Sequence, residues 1–289
     1  MASISTDALM CSFPGSQSPI SSPTCLPQLE SIQFVQVASS RFIEHKLHTI
    51  MVFPLLVVLA ELLGIGVCVM MGTWFGNFQG SYAWREQPKV EFNYHPLFLS
   101  IGLLFLYGNG IIIYRVFPKT TKLYVKMGHT AVHLGAIAFA VVGLVAAFDS
   151  HNLRDKPIPN LYSLHSWIGI VVVSLFCLQW VLGFSAYLLP GLSVNLKKLY
   201  MPHHVFWGVA LFGLAAATSL MGIVERSIFQ KDRINITILA EESILINCMG
   251  VLLAAYAVVV IYIAVKSDYK RPSPDAAATE TTPIIKPID

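Results

Sequence analysis

Nine histidines run through the chain, at His45, His48, His95, His129, His133, His151, His165, His203 and His204. Their placement against long uncharged stretches carries the most chemical content. His95 and His165 each open an apolar run, and His129 and His204 each sit about one turn inside the start of another. Consecutive runs that cross a bilayer do so in alternate directions. The runs opened by His95 and His165 are therefore parallel, and those two imidazoles share one depth; His129 and His204 share another, near the opposite face. An ionisable side chain within a membrane helix is costly and is normally turned toward a partner, an aqueous cavity or a metal. Two neutral imidazoles approaching a plane from opposite sides can supply both axial ligands of an iron porphyrin, a site that passes electrons and leaves no open position for dioxygen. At about 1.5 Å of rise per residue, a membrane helix separates the two levels by enough for two stacked cofactors. An electron then crosses in two hops. The rival chemistry is a histidine-lined proton or metal transporter without haem, although no paired interrupted helices of a transporter are visible.

The remaining histidines are less informative. His133, one turn beyond His129, makes an H-x-x-x-H pair on one helix face. His203 and His204 point about 100° apart around a helix, so one of them faces the interior, and periodicity leaves open which. His45 and His48 precede the first run and are expected to be solvated.

The elements that position these groups follow from composition. The 289 residues are 55% hydrophobic and 12% charged, against roughly 25% charged in a soluble domain, and mean hydropathy is +0.64. An ordinary soluble enzyme and a disordered chain are both excluded. Net charge is only +3, with basic residues in small groups between apolar runs, so no nucleic-acid partner is expected. Cys11, Cys25, Cys68, Cys177 and Cys248 form no C-x-x-C pair, which argues against structural zinc, a disulfide scaffold and covalently attached haem. A helix needs roughly 20 apolar residues to cross a membrane. Six stretches qualify: Thr49 to Trp74, His95 to Tyr114, Met127 to Phe148, Leu164 to Leu189, His203 to Val224, and Ser243 to Val265.

The expected fold is an all-α membrane protein with one six-helix domain over residues 45–268. It is flanked by disordered cytoplasmic tails at 1–44 and 269–289. Lys and Arg are more numerous on the side that holds both termini, which places the termini in the cytoplasm. The N-x-T triplet at Asn235 falls on the opposite side. The tail sequence E-T-T-P-I-I from Glu280 to Ile285 resembles an acidic dileucine sorting signal. Glu61 lies inside the first run and is expected to be snorkelled or helix-paired. Gly102, Gly108, Gly135, Gly143, Gly169 and Gly208 either admit flat macrocycles or let helices pack closely.

Five motifs carry a resemblance to the cytochrome b561 family of ascorbate-dependent transmembrane oxidoreductases. They are F-N-Y-H-P at 92–96, Y-R-V-F at 114–117, K-x-x-x-K-x-x-H from Lys122 to His129, Y-S-L-H-S-W at 162–167 and M-P-H-H-V-F-W-G at 201–208. The resemblance spans about residues 74 to 230. It implies two haem b groups within a four-helix core of spans two to five, the non-cytoplasmic one on His95 and His165 and the cytoplasmic one on His129 and His204. The second histidine of P-H-H-V is the family ligand, and His133 matches a non-ligand position. Arg115 is implied as a propionate partner, and Tyr162, Ser163 and Glu225 as neighbours of the outer haem. Lys122, Lys126 and Lys197 match the family's cytoplasmic ascorbate site, where a positive funnel suits a monoanion; Lys126 is also a candidate for handling the ascorbate proton. Phe148, His151, Asn152 and Tyr162 resemble the acceptor site, with Ser150 where some relatives have Asn.

The implied activity is transfer of one electron from cytoplasmic ascorbate to monodehydroascorbate or a ferric chelate across the membrane. The implied partners are those small molecules, lipid and, in a homodimer, a second copy. Secretory-vesicle, endolysosomal and plasma membranes all suit this topology.

Overall fold

The computed structural model describes residues 26–229 and 240–271, and the chain divides into two units, residues 1–48 and 49–289. In the first unit, the described residues 26–48 are helical, as the start of a helix running from Leu26 to Thr73. Of the tail expected over 1–44, residues 1–25 lie outside the described residues and residues 26–44 are helical, with no Pro or Gly interrupting residues 28–48. The sequon at Asn235 and the sorting-like motif at Glu280 to Ile285 lie outside the described residues.

Among the described residues, six helices are long and apolar enough to cross a membrane. They are α1 (Leu26–Thr73), α2 (Pro88–Val116), α3 (Lys122–Asn152), α4 (Leu164–Tyr187), α5 (Val194–Phe229) and α6 (Glu241–Val265). Each expected span falls within or closely matches one of them. The breaks have local causes. Phe117 precedes Pro118 and cannot continue α2 easily, while Pro190 and Gly191, the latter at φ +114°, separate α4 from α5. Ser163, two residues before His165, starts α4 with a capping box, its hydroxyl accepting from the orphan Ser166 N–H at 3.2 Å. Glu241 and Glu242 in the first turn of α6 complement its dipole.

Large apolar side chains recur on outward faces at helical spacing: Leu55, Leu62 and Val69 on α1, Leu134, Val141 and Val145 on α3, Val171, Leu175 and Leu178 on α4, Val251 and Val258 on α6. Such a surface has lipid as its solvent. Inside, α2 packs on α3 and α5, and α4 on both α3 and α5. Polar ties reinforce the ring, with Tyr107 Oη donating to the Gly208 carbonyl at 2.9 Å, Trp180 Nε1 to that of Thr130 at 3.1 Å and Gln179 Nε2 to that of His204 at 3.0 Å. The part of α1 beyond Thr49 and α6 flank this ring; a Cβ at Gly64 would meet Phe105 and Tyr256, and Tyr256 Oη donates to the Leu104 carbonyl at 3.2 Å. Glu61 of α1 lies close to the Asn109 side chain of α2, whose Nδ2 donates to the Phe105 carbonyl at 3.1 Å.

Two features were not legible in the pattern. The stretch Ser100–Leu106 of α2 is π-helical, one of the wide turns found often near functional sites. After α6, Tyr269 is buried against Phe53 and Tyr262, and Arg271 donates to the Thr120 carbonyl at 2.7 Å. The chain after α6 thus stays packed against the bundle as far as Arg271.

Candidate redox centres and their access sites

The four singled-out histidines meet in the expected couples. His95 of α2 and His165 of α4 have ring centroids 6.2 Å apart, and so do His129 of α3 and His204 of α5. Each imidazole has a neighbour that fixes it. His95 Nδ1 is 3.1 Å from the Gly143 carbonyl, His129 Nδ1 is 2.7 Å from that of Gly110, and His165 Nδ1 is 2.9 Å from that of Thr218. An N–H on Nδ1 leaves the lone pair on Nε2, the tautomer a metal needs, and such outer hydrogen bonds orient ligating rings. His204 Nδ1 is buried without a hydrogen-bond partner among the described residues, and its ring packs beside both Tyr187 and Tyr200, 5.7 and 5.8 Å away. His203 is exposed and His204 half-buried, which settles the ambiguity that periodicity leaves.

Glycines make the room. A Cβ at Gly222 would lie 2.7 Å from His165 Cε1, and one at Gly183 would lie 2.8 Å from His204 Cε1. The glycines singled out from the sequence mostly serve helix packing instead: a Cβ at Gly102 would strike the Ala136 carbonyl at 2.8 Å, and one at Gly208 would meet Gln179 at 3.1 Å. Gly110, Gly183 and Gly222 escaped notice because a helical glycine carries no mark of what it faces.

The dimensions fit bis-histidine haem. A ring nitrogen lies about 1.1 Å from its centroid and bonds a metal at about 2.0 Å, so two axial imidazoles stand about 6.2 Å apart. A cavity of about 460 Å³ opens around His95 and His165, walled by Leu99, Leu103, Val172 and Ala215. The two levels are well separated. The His95 acceptor Gly143 is fourteen residues beyond His129 on α3, and the His165 acceptor Thr218 fourteen beyond His204 on α5, about 21 Å in each case. Tyr107, Phe176 and His133 fill the space on the inner side of that gap: Tyr107 is 4.4 Å from Phe176 and 5.2 Å from His133, which is 4.4 Å from His129. His133 is thus a packed neighbour of a facing imidazole, in the position expected of it. Among the described residues no three His, Cys, Asp or Glu converge as the ligand set of a bare ion.

On the inner side, Lys126 Nζ donates to the Tyr187 carbonyl at 3.2 Å and Tyr187 Oη to the Lys197 carbonyl at 3.2 Å. Lys122 and Lys197 both lie close enough to repel Lys126. The three lysines therefore form one positive group, with Lys197 on the first turn of α5. Tyr187 and Tyr200, stacked at 5.8 Å, complete it and were not foreseen. Arg115 donates to the carbonyls of Ala264 and Lys266 at the end of α6, and the Tyr114 ring beside it is 5.4 Å from that of His129.

On the outer side, Phe148, His151, Tyr162, Ser163 and Glu225 all line the cavity. Asn152 is held at its edge: His151 Nδ1 is 3.1 Å from Asn160 Oδ1, and Asn160 Nδ2 donates to Asn152 Oδ1 at 2.8 Å. Leu161, at φ +54°, turns the chain sharply before Tyr162, and its carbonyl accepts from Trp167 Nε1 at 2.8 Å. Burial, and after it the Glu225 carboxylate, push the Tyr162 phenol up from its ordinary value, so it remains a donor at neutral pH. Sequence reasoning missed a further wall of this cavity. Arg226 stacks over Phe92 at 5.1 Å and donates to Gln79 Oε1 at 2.9 Å. Gln79 and Trp74 both donate to Glu242 Oε1, at 2.6 and 2.8 Å. That network joins the ends of three helices, and nothing in the local pattern signals it.

Among the described residues, six apolar helices around two facing imidazole couples define a multi-pass membrane protein. Residues 94–230 match the family described as eukaryotic cytochrome b561. The transmembrane ascorbate-dependent reductase CYB561 of Ovis aries is 44% identical over 219 residues, covering 76% of this chain and 85% of that protein. The plasma membrane ascorbate-dependent reductase CYBRD1 of Xenopus laevis is 41% identical over 214 residues, 73% of this chain and 74% of that protein. The chain belongs to the cytochrome b561 family and is an oxidoreductase.

Proposed function

We propose that this protein takes one electron from cytoplasmic ascorbate and delivers it across the membrane to a non-cytoplasmic acceptor, monodehydroascorbate or a ferric chelate. The observation that carries this is the pair of imidazole couples, each 6.2 Å between ring centroids, at two levels of one bundle. Two b haems, one on His95 and His165 and one on His129 and His204, would supply the reversible one-electron chemistry.

The chain's own groups do the rest. Lys122, Lys126 and Lys197 gather the ascorbate monoanion beside His204. Lys126 spends one of its three N–H bonds on Tyr187 and keeps two for substrate, which makes it the candidate for managing the ascorbate proton. Arg115 uses two of its five donors on the end of α6 and retains three for a propionate. At the outer face Ser163 and Glu225 border the upper couple, and Phe148, His151, Asn152 and Tyr162 form the mouth at which the acceptor docks. Both termini lie in the cytoplasm of a secretory-vesicle, endolysosomal or plasma membrane, by the distribution of Lys and Arg.

The test is a sealed vesicle containing the purified protein, with ascorbate on the lysine side and ferric chelate on the other. Ascorbate should give a reduced b-type spectrum and the chelate should be reduced only when protein is present. Replacing His95 or His204 should abolish one centre each. Purified protein with no b-type absorption would overturn the proposal.

A further inference from the structure

The outer cavity is charged in a way that the expected acceptor residues do not account for. Among the described residues, Glu225 is the only acidic side chain that lines it, against two guanidinium groups, Arg154 and Arg226. Arg226 is committed to the wall through Gln79, Phe75 and Phe92. Arg154 is different. It follows the last turn of α3, and its Nε donates to the carbonyl of buried Ser150 at 2.6 Å. That bond fixes the root of the guanidinium and spends one of its five donors. Among the described residues no carboxylate pairs with the other four. Arg154 also lies close enough to His151 for the two to repel when His151 is charged, and Glu225 attracts the same ring. The mouth thus presents a half-anchored planar cation next to an imidazole whose Nδ1 is held by Asn160.

We infer that Arg154 is a specificity-determining residue that makes this site select anionic acceptors bearing carboxylate or enolate oxygens. The inference deepens the proposed electron path and rests on it. A guanidinium with both terminal NH2 groups available matches two acceptor oxygens in parallel, which a lysine cannot do. The reaction served is simple in its balance: the ferric ion of a carboxylate chelate gains one electron, supplied on the other face by ascorbate, and no bond is made or broken. Arg154 raises the local concentration of the chelate and orients it at the mouth; it contributes no electron and no proton.

The experiment uses full-length protein in nanodiscs, reduced with ascorbate and mixed in a stopped-flow instrument with either ferric citrate, an anion, or hexaammineruthenium(III), a cation. Removing one cation from a binding mouth acts chiefly on the association rate and its salt dependence. For Arg154→Ala, the second-order rate constant with ferric citrate is expected to fall about tenfold and to lose much of its salt dependence, while that with hexaammineruthenium(III) holds or rises. Arg154→Lys should recover the salt dependence and only part of the rate. Equal slowing toward both acceptors, or no change toward either, would overturn the inference. Haem that ascorbate fails to reduce in the wild-type protein would instead sink the underlying electron path.

Discussion

Replacing Gly222 by alanine tests the proposed role of the outer couple without replacing either imidazole. The added Cβ would stand 2.7 Å from Cε1, 3.1 Å from Nδ1 and 3.3 Å from Nε2 of His165. Carbon atoms rest at about 3.5 Å or more, so the ring must retreat by about 0.8 Å. It has little freedom to pivot, because Nδ1 is tied to the Thr218 carbonyl at 2.9 Å. A metal–nitrogen bond tolerates only about 0.2 Å of error. The displacement exceeds that several-fold, so a haem that His95 and His165 would hold should no longer be bound by both. Low-spin electron paramagnetic resonance signals and haem content per protein would both fall by one centre, with the inner centre still reduced by ascorbate. Gly183→Ala, 2.8 Å from His204 Cε1, should do the converse. Gly213→Ala, whose Cβ would be 3.7 Å from Ile261, is the control on the same helix as Gly222. A Gly222→Ala protein with both low-spin signals and both potentials intact would refute the assignment of His165.

Other consequences are more local. Lys126→Gln should raise KM for ascorbate about tenfold and weaken its salt dependence, because a charge is lost from the inner group; Lys126→Arg should keep the salt dependence. Glu91 is fully buried with neither carboxylate oxygen hydrogen-bonded among the described residues, so Glu91→Gln should leave the melting temperature unchanged or raise it, and a clear fall would show a partner that the geometry lacks. Arg85→Ala should cost no more than about 0.5 kcal/mol in denaturation, since its 2.9 Å bridge to Asp149 is 61% exposed on the arginine side. Burial, and next Tyr94, push the Tyr82 phenol up to about 12. An acid group with a raised native value stabilises the fold fully below its unfolded value near 10 and loses that contribution as pH rises toward 12. A Tyr82→Phe protein should show a shallower loss of stability over that window, measured by thermal melting.

What could be read along the chain is what depends on one-dimensional order. Runs of apolar residues long enough for a bilayer declared six helices, because hydrocarbon forces backbone groups to pair within their own segment. The positions of His95, His129, His165 and His204 within those runs set their depth, because rise per residue is constant. Spacing alone therefore put together the same couples whose rings lie 6.2 Å apart in the bundle, and the five motifs pointed to His204 rather than His203. Other facts depended on how the helices rotate and touch. The carbonyls of Gly110, Gly143 and Thr218 that hold three of the rings, and the glycine faces at 183 and 222, come from other helices and carry no local signature. The same holds for Trp74, Gln79 and Arg226 gathering around Glu242, for Arg154 at the outer mouth, and for Tyr187 bridging Lys126 and Lys197. Contacts between helices are set by side-chain interdigitation across many residues at once, and only the packed bundle resolves which of several equivalent rotations is realised.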